Sequence, residues 1–193
     1  MRTLDRRCGV GLLGLSVVVV ALGLTAAPTV DPYVIAVHHS PVVYQGAASD
    51  QDYITRVDFD GDWSGNNNWE NQPTGDLSAH VYYSVIETET HWFLFYSLFH
   101  PRDYEPFCLP ILCHENDMES VHLVVVKDGS PLGRLVAMQT LAHGLIYLYA
   151  ADPLLRGGFL PLMGPVLFEG GRPIVYVETY GHGIYGRPIE LKG

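Results

Sequence analysis

The stretch AHVYYSVIETETHWFLFYSLF, residues 79–99, decides the fold, because two aromatic and β-branched runs flank the polar segment Glu87-Thr88-Glu89-Thr90. Valine, isoleucine, tyrosine, phenylalanine and tryptophan fit the pleated, half-buried surface of a sheet. Two such runs joined by a short polar connection are typical of a β-hairpin. We therefore predict an antiparallel strand pair at this point of the chain.

The rest of the sequence continues this pattern on both sides of the hairpin. No long amphipathic period is visible, and the 20 glycines and 13 prolines interrupt short apolar runs. Many short strands with frequent turn residues favour a sandwich. We predict an all-β fold, a single-domain antiparallel β-sandwich with long loops and few or no long helices. The further predicted extended segments are 33–38, 41–45, 52–60, 117–127, 134–141, 145–149 and 173–179.

The first residues have the pattern of an export signal. Three arginines precede the apolar run 10–24, and Thr25-Ala26-Ala27 offers a small-residue cleavage site. We predict a signal peptide at 1–27, and a protein that is secreted, extracellular or periplasmic, with no integral membrane span after cleavage. An uncleaved anchor is the alternative, although the apolar run is barely long enough to span a bilayer. Residues 28–193 form the predicted sandwich domain, which we expect to be monomeric.

The charge balance is acidic, and it excludes one class of partner. The formal net charge is −10, and it becomes −12 without the predicted signal, which holds three basic residues and one acidic residue. Between positions 58 and 119, twelve acidic residues accompany the single basic residue Arg102. Such a surface repels phosphate backbones, so nucleic acid is excluded as a partner. A bound cation would relieve the repulsion among these carboxylates.

Two cysteines remain after the predicted signal, Cys108 and Cys113. In an exported protein an even pair favours a disulfide, which here closes a tight loop just before His114. The alternative, thiolate ligation of a metal, would favour zinc.

Residues 113–119, CHENDME, carry the main candidate site together with Asp103. Side chains alternate along a strand, so Asp117 and Glu119 share a face, whereas His114 needs the preceding turn to swing towards them. A carboxylate pair with one more aspartate and a histidine is a reasonable cage for a hard cation, with magnesium or calcium favoured over manganese or zinc. The alternative is a polar strand start whose charges face water.

Three histidines outside this segment are further candidates. His143 and His182 both lie beside glycines at strand ends, where the backbone can approach closely and the imidazole can face a cleft. We interpret them as candidate acid–base residues of the same site; singly, each reads as an ordinary structural histidine. His100 ends the strand that leads to Asp103, and it is a candidate for ligand binding.

The polar segment 58–71 contains the remaining candidates. Trp63, Asn67 and Trp69 combine indoles and an amide, which suit the face of a sugar ring, although an ordered turn is the simpler interpretation. Asp58, Asp60 and Asp62 resemble the opening of a calcium loop but depart from the EF-hand pattern, because Trp63 stands where glycine is needed. Whether these three aspartates hold a second ion stays open.

The residues around the candidate site resemble a known family. YSLFHPRD at 96–103 and HENDME at 114–119, followed by an apolar strand, resemble the necrosis-inducing-protein-like family, in which Y-S-W-Y-x-P-K-D precedes G-H-R-H-D-W-E. The H-E-G-D-W-E motif of vacuolar protein sorting-associated 62 proteins is similar as well. Departures from the necrosis-inducing pattern include Cys113, Asn116 and Met118.

The resemblance implies a β-sandwich that holds magnesium or calcium through Asp103, His114, Asp117 and Glu119, with His143 as a neighbouring polar contact. In the necrosis-inducing group the cation helps to recognise sugar head groups of plant sphingolipids before membrane damage. We expect recognition of a glycan or lipid head group. A metal-dependent hydrolase that uses His143 or His182, and a purely structural ion, are the alternatives, so enzyme activity stays open.

Overall fold

The computed structural model describes residues 30–104 and 113–189, which fold into two packed sheets with two short helices. The predicted signal at 1–27 and Cys108 of the predicted disulfide lie outside these residues, so both stay predictions. The elements are α1 (Pro32–His39), β1 (Val42–Gln45), α2 (Asn68–Asn71), β2 (Tyr82–Glu87), β3 (His91–Arg102), β4 (Glu115–Val126), β5 (Arg134–Ala142), β6 (Leu145–Ala150), β7 (Leu162–Pro165), β8 (Phe168–Glu169), β9 (Arg172–Val177) and β10 (Ile184–Tyr185).

The larger sheet has six strands in the order β2-β3-β4-β5-β6-β7. The predicted hairpin is confirmed: β2 and β3 pair antiparallel, with Tyr82 opposite Ser97 and Glu87 opposite Trp92. Every further pairing in this sheet is antiparallel except the last, since β6 and β7 run parallel. Strands that follow each other in the sequence, from β2 to β7, are neighbours in this sheet, as is usual when connections are short.

The smaller sheet has the order β1-β9-β10, and the two-residue strand β8 pairs with the first two residues of β9. Its β1–β9 pair is parallel, which a purely antiparallel prediction does not include. The two sheets pack as the predicted sandwich, and the β4 alternation shows why: Val121, Leu123 and Val125 are buried, whereas the residues between them are partly exposed. These side chains meet Val175 and Val177 of the smaller sheet in one core.

One predicted extended segment, residues 33–38, is wrong, because it forms helix α1. The Asp31 carboxylate accepts a hydrogen bond from the Tyr33 N–H at 2.9 Å, and Pro32 occupies the first turn, a helix-start signature that outweighs the β-branched composition. Ile35 and Ala36 are buried, so tertiary packing stabilises the helix.

The predicted strand at 52–60 is also wrong, since it contributes only the isolated bridge between Thr55 and Phe99. Its polar side chains bind locally instead: Asp52 accepts a hydrogen bond from the Ala48 N–H, and the chain turns at Asp58 to Gly61. In the part of the chain that the structure describes, no helix is long and apolar enough to cross a membrane.

Candidate metal centre

The hairpin of β3 and β4 positions the predicted ligands at one end of the larger sheet. His100 lies opposite Asp117, and Arg102 lies opposite Glu115, so the end of β3 and the start of β4 are adjacent. Asp103 follows at once, and its N–H donates a hydrogen bond to the His114 carbonyl at 3.0 Å. The backbone therefore brings Asp103 and His114 together across the connecting loop.

Three of the four predicted ligands converge. One ligand atom from each of Asp103, His114 and Asp117 lies within 4.8 Å of the other two, and His114 Nε2 is 3.3 Å from Asp103 Oδ2. Both aspartates are buried, whereas His114 is exposed. Asn116 has a left-handed φ of 63°, a backbone turn that lets His114 join Asp117 despite its opposite position in the alternation.

The electrostatics of the two aspartates suit a cation. Burial, followed by the neighbouring Asp117 carboxylate, raises the pKa of Asp103 to about 7. Asp103 Oδ1 is buried and lacks a hydrogen-bond partner among the described residues; the His182 Nδ1 atom, 3.8 Å away, already bonds Asp117, so one imidazolium faces the carboxylates of Asp52, Asp103 and Asp117. A buried carboxylate oxygen without a donor, beside a second carboxylate, is costly unless a positive charge is shared. These residues therefore fit a divalent cation.

Glu119, the fourth predicted ligand, is not part of the converging group. It lies on the same face of β4 as Asp117, and its Oε1 accepts a hydrogen bond from the His143 N–H at 3.1 Å. Burial raises the pKa of Glu119. His143 in turn is hydrogen-bonded through Nε2 to Glu178, a residue that the sequence interpretation missed because nothing nearby in the chain marks it.

His182 has a different environment from the one we predicted. Its ring is fully buried, with Nδ1 at 2.6 Å from Asp117 Oδ2 and Nε2 at 2.9 Å from Asp52 Oδ1. Burial alone lowers the pKa of His182, but hydrogen bonds to the two carboxylates outweigh it and raise the value to about 9. The ring is therefore an imidazolium that donates to both aspartates and orients Asp117.

His100 lies flat against His182, with ring centroids 3.7 Å apart and planes 8° apart. It is 1% exposed, so it cannot contact an external ligand, and burial followed by the charge of His182 lowers its pKa to about 3. Asp52, His100 and His182 also offer clustered ligand atoms. Stacked imidazoles cannot direct in-plane lone pairs at one ion, so we reject this second group as a metal site.

Backbone strain concentrates around the same site. Among the described residues, the non-glycine positions with positive φ are Asn116, His143, Tyr180 and His182. Each belongs to β4, to the β5–β6 turn that Glu119 holds, or to the segment that carries His182. Strained backbone of this kind persists where the surroundings over-determine it, which is common at functional sites.

The other predicted binding residues are spread over the neighbouring surface. Trp63 is 79% exposed, Asn67 donates its amide N–H to Asp62 Oδ2, and Trp69 stacks on Arg102. The acidic loop is occupied by its own bonds: Asp60 accepts from the Asp62 N–H and from the Asn71 side chain. The candidate metal clusters found among the described residues therefore do not include Asp58, Asp60 or Asp62.

Comparison with solved structures finds the same fold elsewhere. The complex "NLPPya in complex with mannosamine" matches over 84% of this chain and 72% of that chain, with 19% identity and a TM-score of 0.50. The glucosamine complex of the same protein matches over the same shares, with 18% identity and a TM-score of 0.50.

A necrosis and ethylene inducing protein from the causal agent of cocoa's witches' broom disease matches with a TM-score of 0.48 and 18% identity, and the chain spans 60% of its length. No protein-family model matches the chain, and no curated protein matches it. At this identity the comparisons establish the fold alone, which the chain shares with NLPPya.

Proposed function

We propose that this protein is secreted and recognises a glycan or a lipid head group through a divalent cation bound by Asp103, His114 and Asp117. Glu119 would become the fourth ligand by turning its carboxylate from the His143 N–H to the ion. The observation that carries the proposal is the convergence of the first three side chains within 4.8 Å. Oxygen-rich coordination favours magnesium or calcium over manganese or zinc. The predicted disulfide between Cys108 and Cys113 would fix the approach of His114.

The burial pattern supports an ion that is reachable from solvent. Asp103 and Asp117 are buried, and their carboxylates would neutralise the ion from inside, while the His114 side chain is about half exposed, at 52%. A cation held in this way offers open coordination positions to the hydroxyl groups of a sugar. A purely structural ion would instead be enclosed by protein groups.

The structural neighbours support a glycan as the ligand class. NLPPya binds mannosamine and glucosamine in its solved complexes, and we extend glycan binding to this chain as a proposal. The acidic surface of this chain does not repel an amino sugar or a neutral sugar, and an anionic sugar would have to bind at a locally positive position. The similarity of residues 114–119 to vacuolar protein sorting-associated 62 proteins stays a hypothesis about ancestry.

The test is a calorimetric titration of magnesium and calcium into the chelator-treated protein, followed by an NMR titration with glucosamine. Asp103→Asn removes one ligand charge without changing size, and Asp128→Asn, in the distant β4–β5 turn, is the matched control. We expect Asp103→Asn to weaken cation affinity at least about tenfold and to abolish sugar binding, with the control unchanged. Equal cation affinity in both variants would remove the site from the proposal.

A second candidate function, metal-dependent hydrolysis, is favoured by one observation. His143 has an exposed side chain whose Nε2 is bonded to Glu178, the arrangement of a base oriented by a carboxylate. His182 offers no exposed nitrogen for this purpose, because carboxylates occupy both. Cation-dependent turnover of a glycoside or ester panel that is lost in His143→Ala would support hydrolysis, and sugar binding without turnover would support recognition.

A further inference from the structure

Arg102 is held in an unusual environment beside the candidate metal centre. Its guanidinium carbon lies 4.3 Å from the centre of the Trp69 ring and 4.3 Å from the centre of the Tyr104 ring. A planar cation that lies over two aromatic rings is restrained in position before any ligand arrives. The clamp therefore presents a preorganised positive charge.

No acidic side chain in the described ranges uses this charge. Glu115 lies opposite Arg102 in the β3–β4 pairing, but its carboxylate accepts a hydrogen bond from the backbone N–H of Trp69 at 2.8 Å. None of the ion pairs between described residues includes Arg102. Arg102 Nε is buried without a hydrogen-bond partner among those residues, its terminal nitrogens form no hydrogen bond to them either, and the residue as a whole is partly exposed. The described part of the chain therefore leaves the donors of the guanidinium fork unused.

The position of Arg102 relates it to the cation ligands. Asp103 is the next residue in the chain, and the Tyr104 ring that covers the guanidinium lies 6.5 Å from the His182 ring, which in turn bonds Asp117. Arg102 is also the only basic residue among the twelve acidic ones of positions 58–119. An anionic group would be repelled elsewhere on this surface and attracted here.

We propose that Arg102 is an anion-binding position beside the metal centre, and that the preferred ligand is a sugar carrying a carboxylate or a phosphate. The inference rests on the proposed function, since the cation binds the hydroxyl groups while Arg102 binds the charged group. The guanidinium fork matches a carboxylate or phosphate with two parallel hydrogen bonds. A neutral sugar lacks this contact.

The test compares glucose, glucuronate and glucose 6-phosphate by NMR titration of the magnesium-loaded protein. We expect one or both anionic sugars to bind about tenfold more tightly than glucose, which is the usual effect of a charge-assisted hydrogen bond. Arg102→Gln should reduce that preference to about twofold or less while leaving glucose binding unchanged. Arg156→Gln is the matched control, because Arg156 lies in a distant loop and bonds only backbone carbonyls.

The outcomes separate the two proposals. Equal binding of glucose and the anionic sugars, or an anionic preference that survives Arg102→Gln, would overturn the anion-binding position and leave the proposed function standing. Absence of binding by any sugar with magnesium present would overturn both. If Arg102→Gln does not fold, the guanidinium N–H resonances of Arg102 in the wild-type protein decide: they shift with glucuronate or glucose 6-phosphate and not with glucose, or the proposal fails.

Discussion

The stacked rings of His100 and His182 show how two side chains of the same type, in contact with each other, acquire different charges: His100 is neutral and His182 is positive. His182 lies between the Asp52 and Asp117 carboxylates, which hold its proton, whereas His100 has no hydrogen-bond partner for either ring nitrogen among the described residues. Burial and the neighbouring positive charge keep His100 neutral. A neutral imidazole can stack on an imidazolium without like-charge repulsion, so the pair stabilises one protonation state of the site.

This arrangement predicts a loss of stability in mildly alkaline solution. The pKa of His182 is raised from 6.5 to about 9, so its stabilising contribution is complete below about pH 6.5 and disappears as pH rises through 9. For the cation-free protein we expect the free energy of unfolding to fall by about 1–3 kcal/mol over this window. Urea unfolding in the presence of a chelator measures it, and His182→Gln should flatten this part of the profile.

The buried carboxyl of Asp103 should destabilise the cation-free protein and strengthen cation binding. Its carboxyl is buried beside Asp117 and its pKa is raised to about 7, so the folded state is penalised once pH rises above the pKa of the unfolded state. We expect Asp103→Asn to raise the unfolding free energy of the cation-free protein at pH 8 by about 1–2 kcal/mol. Urea unfolding with and without calcium checks this; stabilisation of the variant by calcium equal to that of wild type would contradict the account.

Among the elements, the turn before β10 packs against the β5–β6 turn beside the candidate metal centre. Gly183 packs so closely that an added Cβ would lie 2.7 Å from Glu178 Oε1, 2.8 Å from the Ala142 Cβ and 3.1 Å from His143 Nε2. The His182 segment therefore fits against the β5–β6 turn that Glu119 binds. Because glycine alone avoids these contacts, the two turns keep one relative position.

Gly183→Ala tests this fit. We expect it to destabilise the protein by about 1–3 kcal/mol, because the added methyl must displace the His143–Glu178 pair or the neighbouring backbone. Gly158→Ala is the control, since a Cβ there meets nothing within 4 Å and its φ is not positive. Thermal melting of both variants is the measurement; equal melting temperatures would show that the two turns do not constrain each other.

The predictable parts of the structure are those with local causes. The β2–β3 hairpin and the burial of alternate residues in β4 follow from strand periodicity, and His114 and Asp117 are close in sequence. Asp52 could not be predicted, because the partner that gives it a role, His182, lies 130 residues away and no periodic pattern connects them. Helix α1 was missed for another reason: its β-branched residues conceal the Asp31-Pro32 helix start.

For the molecule as a whole, the excess of aspartate and glutamate explains both the acidic surface and the candidate metal centre. A chain with formal net charge −10 folds more easily if some of its carboxylates share a cation, and the sandwich brings Asp103 and Asp117 together at one end of a sheet. The acidic loop at Asp58 to Asp62 is the competing place for an ion on the same molecule. We propose that the ion binds between the Asp103 and Asp117 carboxylates and not in that loop.

The most direct measurement is anomalous diffraction from a crystal soaked in manganese. Manganese accepts the same oxygen ligands as magnesium, and its anomalous signal identifies and locates the ion. We expect one strong peak within bonding distance of the Asp103 and Asp117 carboxylates and the His114 ring. A peak only in the loop of Asp58 to Asp62, or no peak near the three predicted ligands, would contradict it.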